Sequence, residues 1–524
     1  MTTPPTRLEL PKVLMQILDL EEDIDFDRFN FHGTNIWALV RRDLWFNLHS
    51  SKLSGSALRK RSIWSAIYRF IRSVLKGIYG YHKFRLTIKN AVLHRKKQAL
   101  DILFISTPPI DSTMTPDGIY DNRIDPYLED FQDEGYKCEK IQVRRAPISF
   151  CRDLKHTLTS YDIRDMGRCY SVIQYLLFHL NGLMRIIGIT SNAEEIRRYL
   201  RLKLAKHHIN DNAVDIENIF SFQLYEKLYG KILDAYQPKV LAVTFYANIP
   251  FMAAIQAARK RGIVAIDIQH GKQGKFHGMY SYLGKLPPET LLFLPDFFWV
   301  WGEESAVNIN RHMTLKNGPR AIVGGNSRVR RYKSSPDYYG SSGELDKFSK
   351  NLKRYEKIIL VTLQHDAEIP KLVLECAKQN NADTFWLFRR HPIVSRYTEK
   401  ELVKTISAYQ ISSYDVENAS KLPLYALLTN STHHITGWSS SCYEALIFNV
   451  PTIFWEPRAK SLYADYLDNK HFAYANNSSE LQYHLTKNMA SWNFSENTPY
   501  ISTCEISYKS AIDIVTKYPS SSNS

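Results

Sequence analysis

The chain lacks the signatures of several common protein classes. Its six cysteines form no CxxC pair and no metal-ligand spacing, which indicates buried thiols in a reducing compartment rather than disulfides or a zinc site. No run of about 18 apolar residues occurs, so we predict no transmembrane helix. HExxH, GxxxxGK[ST] and GxSxG are missing, which argues against metalloproteases, P-loop proteins and α/β-hydrolases. No convincing DxD-type metal site is present, and we expect chemistry without a metal or a bound cofactor.

Acidic residues are absent from the stretch 51–100, which contains thirteen Lys and Arg residues. Because the whole chain has a formal net charge of +15, the remainder has a net charge of only +2. Apolar residues recur at spacings of three and four from Ile63 to Ile78, with basic residues beside that stripe. The pattern predicts a basic amphipathic helix. It either lies on an anionic membrane surface, through residues 59–97, or packs on the folded domains with a solvated basic face.

Two further expectations concern partners and location. The chain has no nucleic-acid recognition module that we can name, so we expect no nucleic-acid partner. The N-terminus, Met1–Pro11, has no signal-peptide pattern. We therefore expect a cytoplasmic protein that is peripheral on the inner face of the cytoplasmic membrane.

The order of apolar runs predicts a parallel α/β protein. Val240–Phe245 and Ile263–Ile268 read as buried strands, and the helix between them ends at Gly262, a favourable C-cap. Strand, helix and strand at these lengths indicate βαβ units. We divide the 524 residues into an N-terminal helical segment (1–100), a Rossmann-like acceptor domain (101–325) with a helical insertion (about 146–234), a linker (326–352) and a Rossmann-like nucleotide-donor domain (353–524).

Cationic residues stand where the predicted strand Thr384–Phe388 ends. Arg389, Arg390 and His391 precede Pro392, which biases the residue before it toward extended geometry. Guanidinium groups pair with phosphate through two hydrogen bonds, and a protonated imidazole also donates to phosphate. Since functional groups of open α/β sheets lie at the carboxyl ends of strands, we predict that all three bind donor phosphate. The alternative is a surface arginine pair with a capping histidine.

Three serines open the next predicted helix. Ser439, Ser440 and Ser441 follow the strand His433–Thr436, and unpaired N–H groups and the helix dipole at such a position favour an anion. One serine serves as the N-cap. The other hydroxyls exceed what capping requires, so we predict that the three serines bind donor phosphate. Glu444 either completes a capping box or binds a ribose.

His270 follows the predicted strand Ile263–Ile268 and precedes Gly271. Because an imidazole has an unperturbed pKa of about 6.5, it is suited to take a proton from a sugar hydroxyl at neutral pH. The alternative is a histidine that only hydrogen-bonds the loop backbone. Asp366 and Glu368 follow another strand and are candidates for a base or for acceptor binding, unless one of them caps the next helix.

These motifs resemble bacterial surface-polysaccharide transferases of the two-domain GT-B type, over roughly residues 239–460. Gln269-His270-Gly271 is similar to the His-Gly loop of teichoic-acid polymerases of the CDP-glycerol glycerophosphotransferase family, whose histidine is regarded as the base. His391-Pro392 resembles a motif shared with bacterial sialyl- and polysialyltransferases, which binds phosphate and stabilises the leaving group. Ser439–Ser441 is similar to their Ser-Ser element, which contacts donor phosphate. Lys272-Gln273 stands where polyol-phosphate polymerases have Thr-Pro, which leaves the donor open.

The resemblance implies an α/β, GT-B-like fold with two Rossmann-like domains facing across a cleft, preceded by a basic helical segment. It implies a metal-independent, inverting glycosyltransferase with His270 and His391 as catalytic residues. The donor would be a nucleotide-sugar, a substrate rather than a cofactor, and the acceptor a surface polysaccharide or lipid-linked glycan of capsule or lipopolysaccharide biosynthesis. Two alternatives are a teichoic-acid-type phosphotransferase with a CDP-linked polyol and a non-catalytic glycan-binding or assembly protein.

Overall fold

The computed structural model describes most of the chain. The described residues are 10–31, 33–49, 99–107, 112–115, 118–144, 157–162, 192–214, 216–274, 276–336, 343–364, 368–380, 383–391, 397–467, 471–487, 489, 492, 494 and 498–518. The predicted membrane-surface segment 59–97 lies outside them, as do Asp366 and Pro392. Within the described part, no helix combines the length and the apolar content needed to cross a membrane.

Two helices and a small hairpin precede the first domain and pack on it. They are α1 (Lys12–Asp23), β1 (Asn30–Phe31), β2 (Thr34–Asn35) and α2 (Trp37–His49). Arg41 of α2 pairs with the buried Glu21 of α1, and its Nε donates to the Gly278 carbonyl at 3.1 Å. Because a buried guanidinium needs such partners, these contacts hold α2 against the loop that follows His270.

The first domain is built on a parallel sheet. Its strands and hairpin are β3 (Ile102–Ser106), β4 (Ser112–Thr115), β5 (Gly118–Asp121), β6 (Cys138–Arg144), β7 (Thr157–Asp162), β8 (Val240–Thr244), β9 (Val264–Ile268), β10 (Phe297–Val300) and β11 (Arg320–Val323). The sheet order is β11-β10-β9-β8-β3-β6-β7, and β4 pairs antiparallel with β5. Strands β3, β8, β9 and β10 are buried along their whole length, as expected for a parallel sheet covered on both faces.

Helices cover both faces of this sheet. They are α3 (Asp125–Asp133), α4 (Asn192–Lys206), α5 (Ile216–Tyr236), α6 (Ile249–Arg259) and α7 (Glu303–His312). The span 146–234, predicted as a helical insertion, contains α4 and part of α5 but also the strand β7, which pairs in parallel with β6. Sequence reasoning missed β7 because an edge strand takes its hydrogen bonds from one neighbour and needs no continuous apolar run.

The second domain repeats this architecture. Its strands are β12 (Lys357–Thr362), β13 (Thr384–Arg389), β14 (Tyr414–Asp415), β15 (His433–Thr436), β16 (Thr452–Phe454) and β17 (Phe472–Tyr474), and its helices include α8 (Ser327–Ser334), α9 (Gly343–Leu352), α10 (Lys371–Gln379), α11 (Glu399–Ala408), α12 (Glu417–Lys421), α13 (Leu424–Thr429), α14 (Ser441–Ile447), α15 (Pro457–Leu462), α16 (Ala464–Leu467) and α17 (Ser478–Thr486). The sheet is parallel, with the order β14-β13-β12-β15-β16-β17.

The predicted linker, 326–352, contains the helices α8 and α9. Asn326 caps α8 by accepting the Val329 N–H at 3.2 Å. Val329, Tyr332 and Leu352 pack in the core of the second domain. Buried apolar side chains therefore make this span part of the second domain, although its Gly and Ser content suggested a linker.

The chain finally crosses back to the first domain. The Ser502 N–H donates to the Trp301 carbonyl at 2.7 Å, and the Glu304 N–H donates to the Pro499 carbonyl at 2.8 Å. The terminal helix α18 (Glu505–Lys517), predicted with the donor domain, then packs on the first sheet. Its buried residues there are Tyr508, Ala511, Ile512 and Val515. Two helix-flanked parallel sheets with a cleft between them form the predicted GT-B-like α/β fold, and this prediction is confirmed.

Candidate active site

A cavity of about 190 Å³ lies between the two domains, at the carboxyl ends of their strands. The first domain lines it with Asn122, Arg123, Tyr127, Gln269, His270 and Trp301, and the second with Asn326, Arg328, Thr362, Leu363, Arg389, Arg390, His391, Leu424, Ser439, Ser440, Ser441 and Glu444. The predicted base and the predicted phosphate ligands therefore share one cavity, although they come from different domains.

His270 presents a neutral imidazole to this cavity. Burial lowers the pKa of His270 to about 3, and the positive charge of Arg123 acts in the same direction. Among the described residues, its buried Nδ1 has no hydrogen-bond partner. The Phe245 ring contacts the imidazole edge-on, with the centroids 5.0 Å apart. At pH 7 the ring is therefore uncharged, and a proton on it is held only weakly.

Gln269 positions the loop that carries His270. Its Oε1 accepts the Trp301 N–H at 2.6 Å, while its Nε2 donates to the Gly271 carbonyl at 2.8 Å and lies 3.3 Å from Ser305 Oγ. The side chain is buried, so these bonds replace the ones that water would make. Gln269 thus ties the His270 loop to the end of β10 and the start of α7.

A buried carboxyl stabilises the turn beside the imidazole. Asp267 Oδ1 accepts the Tyr246 N–H at 3.0 Å, and the Tyr280 hydroxyl lies 3.2 Å from Oδ2. Burial raises the pKa of Asp267 to about 8. Phe245 has a φ of +65°, a left-handed conformation that is unfavourable for a bulky residue. Because Asp267 binds the next N–H, it helps to hold the Phe245 ring against His270.

The two arginines at the end of β13 have different surroundings. Arg389 donates from Nη1 to the carbonyls of Ala419 and Leu422, at 2.7 and 2.5 Å, and so anchors the end of α12. Arg390 lies 3.8 Å from Glu399 through Nη2. In the described structure its buried Nε has no hydrogen-bond partner. Both line the cavity, but Arg390 has the donor that still needs an acceptor.

The three serines surround the start of α14. Ser440 occupies the N-cap position of α14, as predicted for one of the serines, but its side chain makes no capping hydrogen bond. Ser439 Oγ, one residue earlier, accepts the Ser441 N–H at 3.3 Å. Ser441 Oγ lies 3.5 Å from His434 Nε2. A Cβ placed on Gly271 would be 3.8 Å from Ser440 Oγ, which shows how closely the His270 loop approaches the serines.

The acidic candidates differ in position. Glu444 is buried in the cavity wall and accepts a hydrogen bond from the Tyr425 hydroxyl, and its predicted capping or ribose role remains a prediction. Glu368 is exposed, accepts from the Tyr397 hydroxyl at 2.5 Å and does not line the cavity. Asp366 lies outside the described residues.

Sequence reasoning missed several residues of both domains that line the cavity with His270. Arg123 follows the hairpin strand β5, and Arg328 comes from α8, where its guanidinium lies 4.6 Å from the Tyr425 ring centroid. Trp301 donates from its indole to the Tyr127 hydroxyl at 3.1 Å. The polar residues after β5 could have indicated Arg123 as a cavity residue. The strand β5 itself is too short and too polar to be predicted as a strand from the sequence.

Lys272 attaches the His270 loop to the second domain. Its Nζ donates to the Tyr443 hydroxyl at 2.8 Å and lies 4.2 Å from the ring centroid of Tyr463 and 5.2 Å from that of Tyr466. Tyr466 in turn donates to Glu304 of the first domain at 2.5 Å. An ammonium group among aromatic faces is stabilised by cation–π attraction.

Replacing Lys272 with methionine keeps an apolar stem and removes the ammonium group. We expect the free energy of unfolding to fall by about 1–2 kcal/mol, the size of a desolvated cation–π contact, as measured by chemical denaturation. Lys285→Met is the matched control, because its exposed pair with Glu22 should be worth less than about 1 kcal/mol. Equal losses in the two variants would show that the aromatic contacts of Lys272 add nothing.

No family model matches this chain, and no curated protein matches it. Solved structures are similar in fold. The MnaA–UDP complex of S. aureus is 14% identical and covers 80% of this chain and 96% of its own, with a TM-score of 0.46. UDP-GlcNAc 2-epimerase of Methanocaldococcus jannaschii is 13% identical, with 79% and 99% covered and a TM-score of 0.48. CalG4, the calicheamicin glycosyltransferase, is 12% identical, with 75% and 91% covered and a TM-score of 0.39.

Proposed function

We propose that this protein is an inverting glycosyltransferase, which transfers a sugar from a nucleotide-sugar to a cell-surface polysaccharide or lipid-linked glycan at the inner face of the cytoplasmic membrane. The observation that carries this proposal is the arrangement of one cavity. A neutral imidazole, His270, comes from the first domain, and the anion-binding residues Arg390, His391 and Ser439–Ser441 come from the second. A base and an anion site on opposite sides of a cleft are the two parts that glycosyl transfer needs.

The second domain would hold the phosphate groups of the donor. Arg390 Nε is buried without a partner in the described structure, and a buried donor costs free energy until it is hydrogen-bonded. A phosphate oxygen would satisfy it through a charge-assisted bond. Ser440 and His391 line the same wall, and Arg123 adds a positive charge from the first domain.

The first domain would activate the acceptor. The acceptor hydroxyl oxygen forms a bond to the anomeric carbon, while the bond from that carbon to the donor phosphate oxygen breaks and its electron pair stays on the phosphate. His270 takes the hydroxyl proton. One displacement inverts the anomeric configuration, and the preorganised positive groups of the second domain stabilise the charge that develops on the leaving phosphate.

Transfer of a polyol phosphate from a CDP-linked donor is the second candidate, because Gln269-His270-Gly271 resembles the His-Gly loop of such enzymes. Titration calorimetry of the purified protein with CMP, CDP, UDP and GDP tests the common requirement for a nucleotide. Incubation with radiolabelled sugar or polyol donors of the nucleotide that binds then separates the two reactions. Binding of none of the four nucleotides would contradict both candidates and favour a non-catalytic scaffold.

The low pKa of His270 predicts an unusual pH profile. His270 can act as a base only when its imidazole is neutral, so the reaction rate falls as the pH falls through the pKa of His270. Because that pKa is about 3 in the free enzyme, the loss of rate occurs far below neutral pH. We expect kcat/KM to show no His270 step between about pH 5 and pH 8. Bound donor adds negative charge and raises the pKa, so kcat should begin to fall at a higher pH than kcat/KM. A kcat/KM step near pH 6.5 that disappears in a His270 variant would contradict this.

A further inference from the structure

A second, larger cavity adjoins the candidate active site. Its volume is about 640 Å³, and it shares Ser439 and Ser440 with the first cavity. The walls come from α1, α2, the loop after His270, and the segment of the second domain around Trp438 and α15. None of the residues predicted for the donor, apart from the two shared serines, lies in it, so this space is available to the other substrate.

The α2 side of this cavity is aromatic and leads to the base. Phe46 packs edge-on against Phe245, with the ring centroids 5.5 Å apart, and Phe245 contacts His270 at 5.0 Å. Trp45 lies 5.0 Å from the His277 ring. The Phe245 ring therefore lies between the Phe46 wall of the second cavity and the imidazole that would take the acceptor's proton.

The walls of the second cavity combine apolar and polar groups. Apolar atoms make up most of the wall surface, to which Trp45, Phe46, Phe276, Trp438 and Leu462 contribute, while Lys12, Lys272, Glu304, Asn308 and Arg458 supply polar groups. A buried glycan needs polar partners and an alkyl or isoprenoid chain needs apolar surface, so these walls suit a molecule that has both.

In the sequence, α2 ends at His49, immediately before the basic stretch. An anionic membrane surface is one of the two positions predicted for that stretch, and packing on the folded domains is the other.

We propose that this cavity takes the apolar chain of a lipid-linked acceptor, with its glycan end directed past Ser440 toward His270. This inference rests on the proposed transferase function, since it assigns the acceptor of that reaction. The enzyme would then bind an acceptor with an apolar chain more tightly than the same glycan without one. The residues responsible for this preference would be Phe46, Phe276, Trp438 and Leu462.

The test uses n-dodecyl β-maltoside, below its critical micelle concentration, and maltose as the matched probe without the chain. We expect calorimetry to detect the alkyl glycoside and not maltose. Leu462→Gln and Phe276→Gln should each weaken alkyl-glycoside binding by about tenfold, since each replaces buried apolar contact with a polar group. Leu202→Gln is the control, because Leu202 is 65% exposed on α4 and outside the cavity.

Equal affinity for maltose and dodecyl maltoside would overturn the inference, as would binding that Leu202→Gln weakens as much as Leu462→Gln does. Circular dichroism of each variant shows whether a loss of binding reflects a loss of folding. The nucleotide titrations report separately on the donor site. Nucleotide binding without alkyl-glycoside binding would therefore reject only the acceptor assignment, and the reverse result would reject the transferase proposal.

Discussion

His270→Asn should lower kcat by about 10²- to 10⁴-fold, the contribution typical of a general base. Asparagine keeps a polar side chain in the same loop but takes no proton at neutral pH. Nucleotide affinity should stay near that of the unmodified protein, because most of the proposed anion ligands belong to the second domain. Steady-state kinetics with the donor identified by titration, together with calorimetry on the same variant, measures both quantities.

His208→Asn is the matched control for this experiment. His208 is exposed and has a φ of +55°, a conformation that asparagine tolerates better than most residues. It follows the end of α4, lines neither of the two cavities and should leave kcat unchanged. If His270→Asn retained kcat within a factor of about two while the control also did, His270 would not be the base.

Arg390→Gln should weaken nucleotide binding by roughly 10- to 100-fold, the range for one hydrogen bond to a charged group. Glutamine removes the charge and the buried Nε donor while retaining part of the stem. The loss should shrink for a nucleoside without phosphate, because the guanidinium is proposed to meet the phosphate. Calorimetric titrations with the nucleotide and its nucleoside check both statements.

The neighbouring arginine supplies a contrast within the same strand end. Arg389→Gln should mainly lower the free energy of unfolding, since Arg389 Nη1 already donates to two backbone carbonyls. Arg354→Gln, an exposed arginine whose guanidinium lies 5.1 Å from the Tyr355 ring centroid, controls for the general loss of positive charge. If Arg354→Gln and Arg390→Gln lost similar amounts of nucleotide affinity, the Arg390 effect would be explained by long-range electrostatics rather than by a direct contact with phosphate.

Much of the fold was predictable because the strands are continuous apolar runs. Parallel strands buried on both faces, such as β8 and β9, are recognisable from the sequence, and polar residues mark where they end. The edge strand β7 and the hairpin strand β5 lack such runs and were not predicted. Arg123, which follows β5, was therefore missed as a cavity residue.

The cavity proposed for the acceptor was the least predictable part. The second cavity combines α2 with the loop after His270 and with α15, three segments far apart in the sequence. Nothing in the local sequence of α2 distinguishes aromatic residues of a cavity wall from those of a core. Glu368 was a candidate because it follows a strand, but it is exposed, accepts a hydrogen bond from Tyr397 and does not line the cavity.

The sequence by itself determined where strands end in polar residues, because hydrophobic periodicity and turn chemistry act over a few neighbouring positions. It placed His270, Arg390 and the serines at such ends. Only the tertiary structure decided which of these groups meet and which already have partners. Arg389 and Arg390 are adjacent in the chain, yet carbonyls some thirty residues later accept hydrogen bonds from Arg389, while the buried Nε of Arg390 has no partner in the described structure. Contacts of that range depend on packing, which local sequence does not encode.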